Sequence, residues 1–220
     1  MRVAVIVFPG SNCDRDAADA IMQVTGKMPK MVWHREAELN SIDLVVLPGG
    51  FAYGDYLRPG AIAAQSPIMK QVHTHAGAGR YVLGICNGFQ VLTEIGLLPG
   101  VLMPNSGTKF VCKPVKLKVE NCDTAFTNGY KNKTNISIPI AHHDGNYLVQ
   151  DDELSQLEDN GQVVFRYQAN PNGSINDIAG ITNSQANVLG MMPHPERAMG
   201  KTDANNDGEI LFKSLMEALQ

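Results

Sequence analysis

The first half of the chain repeats one pattern: a short, strongly apolar run rich in β-branched residues, a Gly-containing turn, then a helical stretch. A run buried on both faces and followed by a crossover helix is how parallel strands are joined, so the repetition restricts the chain to an α/β architecture. Val3 to Phe8 leads through Pro9-Gly10-Ser11-Asn12 into a helix carrying Ala17, Ala18, Ile21 and Met22. Leu44 to Leu47 leads through Pro48-Gly49-Gly50 toward a helix near Ala61 to His75, and Tyr81 to Ile85 leads into a helix from Gly88 to Ile95. From Val111 onward the period falls to two, as in Val115, Leu117 and Val119 or Val163, Phe165 and Tyr167, with turns at Asn128-Gly129, Asn160-Gly161 and Asn172-Gly173. That texture predicts antiparallel strands. A last buried strand, Val188 to Met192, precedes Pro193-His194-Pro195-Glu196, and Ile210, Leu211, Leu215 and Leu219 mark a closing helix. The expected fold is an open, mainly parallel sheet flanked by helices with an added antiparallel β segment, in a single domain over residues 1–220.

Composition narrows the function. With 220 residues and 44% hydrophobic content the chain can bury a full core. Eighteen Lys and Arg against 22 Asp and Glu give a net charge of -4 without a basic run, which disfavours nucleic acid as a partner. Val3 to Phe8 is far shorter than the ~18 apolar residues that span a bilayer, so no membrane role is expected. Cysteines at 13, 86, 112 and 122 form no C-x-x-C pair and no disulfide framework, which points to a reducing, cytoplasmic location.

Sites in open parallel sheets form past the carboxyl ends of the strands, and the residues with chemical potential fall there. Gly84-Ile85-Cys86-Asn87-Gly88 matches the small-x-nucleophile-x-small turn at a strand-to-helix corner, where a helix N-terminus favours a thiolate. A buried Cys is more often simply a small core residue; here the two glycines and the corner favour a nucleophile. The other three cysteines lack that setting and read as structural. A Cys nucleophile needs a base and an orienting carboxylate. His194 and Glu196 answer that need, since i and i+2 on an extended segment share a side and the flanking prolines hold the chain extended. Gly49-Gly50-Phe51, after the second strand, can turn bare backbone inward, so an N–H there and that of Asn87 form a candidate oxyanion hole. His73 and His75 on a helix, and His142 and His143 on a strand, should diverge, so no metal site is expected. Residues 203–208 imitate a calcium loop, but Ser214 stands where its bidentate Glu belongs.

Gly-Ile-Cys-Asn-Gly-Phe-Gln at 84–90, Pro-Gly-Gly-Phe-Ala-Tyr-Gly-Asp-Tyr-Leu-Arg-Pro-Gly at 48–60, His-Pro-Glu-Arg at 194–197 and Phe-Pro-Gly-Ser-Asn-Cys-Asp at 8–14 together resemble the glutaminase subunits of phosphoribosylformylglycinamidine synthases, which are class I, triad-type glutamine amidotransferases of flavodoxin-like fold. The resemblance implies Cys86 as nucleophile, His194 as base then acid, and Glu196 as its orienting group. It implies Gly50, Phe51, Asn87, Gln90 and His142 in glutamine binding. It implies no cofactor in this chain, with ATP and magnesium on a partner synthetase subunit, and a complex with that large subunit and a small third protein. His143 departs from the family loop, where a glycine is usual. The alternatives are the glutaminase component of another amidotransferase, or a non-catalytic binding subunit of the same complex. An α/β-hydrolase would place its acid before the His along the chain. Redox-sensing relatives of the fold need a carboxylate after the first strand, where this chain has Phe8-Pro9-Gly10.

Overall fold

A computed structural model describes residues 1–200 and 205–219. In chain order its strands are β1 (Val3–Val7), β2 (Lys30–Trp33), β3 (Leu44–Leu47), β4 (Tyr81–Ile85), β5 (Val101–Met103), β6 (Val111–Val119), β7 (Asn135–His142), β8 (Asn146–Leu148), β9 (Val163–Tyr167), β10 (Ile178–Thr182) and β11 (Val188–Met191). The helices are α1 (Asp14–Thr25), α2 (Ile68–Gly77), α3 (Asn87–Glu94), α4 (Asp151–Asp159) and α5 (Asp207–Ala218).

Nine strands form one sheet in the order β2-β1-β3-β4-β11-β10-β9-β6-β7. The first five are mutually parallel and the pairings from β11 onward are antiparallel. The antiparallel segment is therefore continuous with the parallel sheet, joined where β10 pairs with β11. Burial follows the two textures. Val5, Ile6, Val45, Val46, Leu47, Val82, Leu83, Ile85, Val188 and Leu189 are wholly inaccessible, as strands covered on both faces must be. In β7, by contrast, the even-numbered residues from Ile136 to His142 are buried and the odd-numbered ones are not.

β2 and α4 are among the elements that the sequence pattern does not mark. β2 is a mostly exposed edge strand, and α4 buries only Leu157 fully, so neither carries a strong apolar period. The second helix begins at Ile68 rather than near Ala61, because a single 3₁₀ turn at Ala63–Gln65 and the Ser66-Pro67 step intervene. The calcium-like loop falls partly on residues 203 and 204, outside the described residues; Asp207, its last acid, is instead the first residue of α5, where its carboxylate takes the Lys133 ammonium and the Ser137 amide. Among the described residues no helix is long and apolar enough to cross a membrane.

Candidate active site

The carboxyl ends of β1, β3, β4 and β11 converge, and a backbone bridge between Ser11 and Gly50 ties the first two loops together. Into this corner β4 delivers Cys86. The residue has φ 50 and ψ −106, a left-handed conformation that an L side chain adopts only under constraint. Neighbours supply that constraint. The Cys86 amide donates to Met191 O at 2.7 Å, and α3 starts at the next residue. A Cβ on Gly88 would lie 2.0 Å from Leu47 O, and one on Gly84 would lie 2.4 Å from Leu92 Cδ1, so both glycines are needed for α3 to close on the sheet. The thiol is 4% exposed, with Sγ 3.7 Å from Ala141 O.

His194 and Glu196 are brought together, though not on an extended segment. His194 has φ −103 and ψ 86, and a 3₁₀ turn over Pro195–Arg197 then carries Glu196. The turn swings the carboxylate back, so that His194 Nδ1 donates to Glu196 Oε1 at 2.7 Å between side chains only 2% and 0% exposed. Burial alone would depress the imidazole, but the charges of Glu196 and then Cys86 outweigh it and hold His194 well above its ordinary range. With Nδ1 committed to Glu196, the buried Nε2 has no hydrogen-bond partner among the described residues. Gly49 makes room for the ring: a Cβ there would lie 2.6 Å from His194 Cε1.

The adjacent loop has some of its amides engaged. The Phe51 amide is bonded to Gly10 O and the Ala52 amide to Asn87 Oδ1, while no bond from the Gly50 amide, at φ 141, is found among the described residues. The Phe51 ring is 43% exposed and lies 6.3 Å from that of Phe110. Asn87 and Gln90 are joined on α3: Asn87 Nδ2 donates to Gln90 Oε1 at 2.9 Å, and Gln90 Nε2 donates to Asp144 O at 2.6 Å. Gln90 thus ties the β7–β8 loop to α3. His142 is buried, with Nδ1 bonded to Asn105 Oδ1 at 3.0 Å. Burial, then the neighbouring His194, lowers it to about 4, so it is neutral. Because Asn105 Oδ1 can only accept, Nδ1 carries the hydrogen and Nε2 is a bare acceptor without a partner. His143 points outward, has no left-handed backbone, and pairs with Asp144 at 2.9 Å, so the usual glycine is replaced without strain. His73 and His75 diverge as expected, one exposed and one buried.

Cys13 corrects the sequence reading, which placed no base near it. Its Sγ, a His194 ring nitrogen and a Glu196 carboxylate oxygen all lie within 4.8 Å of one another. The Ser11–Gly50 bridge causes this, drawing the turn after β1 against the loop after β3. A sulfur, an imidazole and a carboxylate are a zinc-type donor set. Here, however, Nδ1 and Oε1 already bond each other, and the Arg197 guanidinium donates to Sγ at 3.2 Å. A cation held by that sulfur would sit beside the Arg197 guanidinium, whose positive charge opposes it. Asp55, which the sequence reading passed over, accepts from Asn87 Nδ2 on Oδ1 at 3.3 Å.

A Cys at a strained elbow and a buried His–Glu pair are groups of the kind that acyl transfer uses. The model of the CobB/CobQ-like glutamine amidotransferase domain matches residues 1–210. The chain belongs to this glutamine amidotransferase family. Among its relatives, the phosphoribosylformylglycinamidine synthase subunit PurQ of Ruegeria pomeroyi is 56% identical over 220 residues, covering 100% of this chain and 99% of the relative. The subunit of the same name from Novosphingobium aromaticivorans is 56% identical over 217 residues, covering 98% and 96%. A chain in the solved structure of PurLQS from Thermotoga maritima superposes with a TM-score of 0.91 at 46% identity, covering 100% of this chain and 99% of that one. A glutamine amidotransferase of Thermotoga maritima, at 16% identity and a TM-score of 0.64, shares the amidotransferase fold.

Proposed function

We propose that Cys86, His194 and Glu196 carry the glutaminase chemistry of this amidotransferase, and that the ammonia released serves formation of formylglycinamidine ribonucleotide from formylglycinamide ribonucleotide in purine biosynthesis. The observation that carries the reading is the buried 2.7 Å His194–Glu196 hydrogen bond beside a left-handed Cys86. The Cys86 sulfur attacks the side-chain amide carbon of glutamine, its proton having passed to His194 Nε2. The oxygen of the tetrahedral intermediate takes the Gly50 and Asn87 amides, donors of a kind worth ~3 kcal/mol each. His194 returns the proton to the leaving nitrogen, ammonia departs, and a glutamyl thioester remains on Cys86. Water, deprotonated by the same Nε2, attacks the thioester and releases glutamate.

The identity to PurQ subunits and the close match to a chain of PurLQS support a multisubunit synthase, with a large synthetase subunit and a small third subunit as partners. ATP and magnesium belong on the large subunit in this reading, and residues 1–220 act as one cytoplasmic amidotransferase unit. Glutamine-dependent synthesis by the assembled synthase should vanish in Cys86→Ser while synthesis from added ammonia persists. Glutamine-dependent turnover surviving in that variant would refute the assignment.

A further inference from the structure

Cys13 is a buried nucleophilic group that the proposed reaction does not use, yet its backbone and its sulfur are all engaged around the catalytic pair. Its amide donates to Gly49 O at 3.2 Å, and its carbonyl accepts the Ala17 amide at 3.0 Å at the head of α1. Its Sγ takes Arg197 Nη2 at 3.2 Å. A guanidinium has no lone pair to offer, so the sulfur is the acceptor in that contact. Within the first turn of α1, Asp16 Oδ2 takes Arg197 Nε, also at 3.1 Å. Two nitrogens of one guanidinium are therefore seated on the head of α1.

Arg197 is the last residue of the 3₁₀ turn that carries Glu196, and its amide closes that turn on His194 O at 3.1 Å. At the other end the His194 amide donates to Pro139 O on β7 at 2.8 Å. The His–Glu pair is thus strung between two anchors, β7 and the head of α1. Of the two contacts at α1, the ion pair with Asp16 joins side chains 41% and 44% exposed, and an exposed pair of that kind contributes little. The buried sulfur is what keeps the guanidinium from turning to solvent. Burial disfavours the Arg197 charge, but Cys13, Asp16 and then Glu196 outweigh it and push its basicity up. Glu196 gains from this arrangement, because its buried Oε2 has no hydrogen-bond partner among the described residues and a buried carboxylate needs positive charge close by. Sulfur and ring also meet at one glycine: a Cβ on Gly49 would lie 2.6 Å from His194 Cε1 and 3.4 Å from Cys13 Sγ.

We propose that Cys13 is a positioning residue: its sulfur seats Arg197 on the head of α1 and so holds the turn that presents His194 and Glu196 to Cys86. The inference rests on the assignment of Cys86, His194 and Glu196 as the glutaminase groups, and the test separates the two. The assembled synthase is assayed for glutamine-dependent and ammonia-dependent synthesis with the native chain, Cys13→Ala, Cys13→Ser, Arg197→Lys and the Cys13→Ala/Arg197→Lys double variant. Cys13→Ala should lower the glutamine-dependent kcat by about tenfold, since small misplacements of reacting groups are costly, and leave the KM for glutamine within about twofold. Ammonia-dependent synthesis should be intact. Cys13→Ser, whose hydroxyl can accept from the guanidinium, should recover kcat to within about threefold of the native value. Arg197→Lys removes the planar fork that reaches both Cys13 and Asp16 and should lose about as much as Cys13→Ala, with the double variant no worse than either alone. Native kcat in Cys13→Ala, a raised KM with kcat kept, Cys13→Ser no better than Cys13→Ala, or additive losses in the double variant would overturn the proposal. Should Cys13→Ala fail to assemble with the synthetase by gel filtration, Arg197→Lys decides, and native kcat there overturns it. Glutamine-dependent turnover persisting in Cys86→Ser would instead overturn the assignment beneath it.

Discussion

Gly49→Ala adds a single methyl group and aims it at the centre of the site. Gly49 does not occupy left-handed backbone, so alanine meets no conformational penalty there, and the effect comes from contact alone. The new carbon would lie 2.6 Å from His194 Cε1, 3.2 Å from its Nδ1 and 3.4 Å from Cys13 Sγ. Carbon pairs settle at ~3.5–4.0 Å, so the ring must retreat by about 1 Å. It has little freedom to do so, being buried and tied to Glu196 at 2.7 Å. A misplacement of about 1 Å in a reacting group costs on the order of 100-fold in rate, and overpacking of this kind destabilises by about 1–3 kcal/mol. The assay is glutamine hydrolysis by the assembled synthase, with ammonia-dependent synthesis as the control for folding and assembly. Gly77→Ala is the matched control: it lies in α2 with nothing within 4 Å of an added Cβ, and it should be neutral or stabilising by up to about 1 kcal/mol. Glutaminase activity within about threefold of the native rate in Gly49→Ala would refute the claim that His194 is held in its working position by this packing.

Glu196→Gln keeps an acceptor for Nδ1 but removes the charge that offsets burial, so the titration of His194 followed by NMR should move down and glutaminase kcat should fall by ~100- to 1000-fold, equivalent to about 3–4 kcal/mol. An unmoved His194 titration would contradict this. His142, neutral in the fold and lowered to about 4, takes up a proton more readily when unfolded, so its contribution to stability is present above about pH 6.5 and is lost as pH falls toward 4. Between pH 7.5 and 5 that amounts to about 2 kcal/mol, and urea denaturation of His142→Asn should show a correspondingly flatter pH dependence than the native chain; parallel curves would argue against a buried neutral imidazole. Asn105→Ala removes bonds to Lys109 O, His142 O, His142 Nδ1 and the Gly145 amide, and should cost about 2–4 kcal/mol by denaturant titration. A cost below about 0.5 kcal/mol would mean that this network does not hold the β7–β8 loop.

Much of this was legible in the sequence because the parallel strands are covered on both faces, which leaves runs such as Leu44–Leu47 unbroken by polar residues. The period-two texture of β6, β7 and β9 was legible for the opposite reason, one face being solvated. α4 and β2 were not, since their burial is slight and their pattern correspondingly weak. Cys86, His194 and Glu196 announced themselves through local punctuation: glycines where α3 approaches the sheet, prolines around the His. The geometric reason given for the His–Glu pair was incomplete, because a 3₁₀ turn rather than an extended segment joins them. Cys13 and Asp55 were missed as neighbours of the site because their proximity is tertiary. The first depends on a bridge between residues 11 and 50, the second on hydrogen bonds between residues 52–55 and Asn87. Both lie in loops after parallel strands, the one signal that could have flagged them.

The central claim is that Cys86 is the nucleophile toward glutamine. Mass spectrometry after incubation with a glutamine-like chloroketone or diazo-ketone label, with and without competing glutamine, tests it most directly. The account predicts a single adduct on Cys86 that glutamine suppresses and that Gly49→Ala or Glu196→Gln slows. An adduct confined to Cys13, Cys112 or Cys122, or none on Cys86 with the synthetase present, would contradict it.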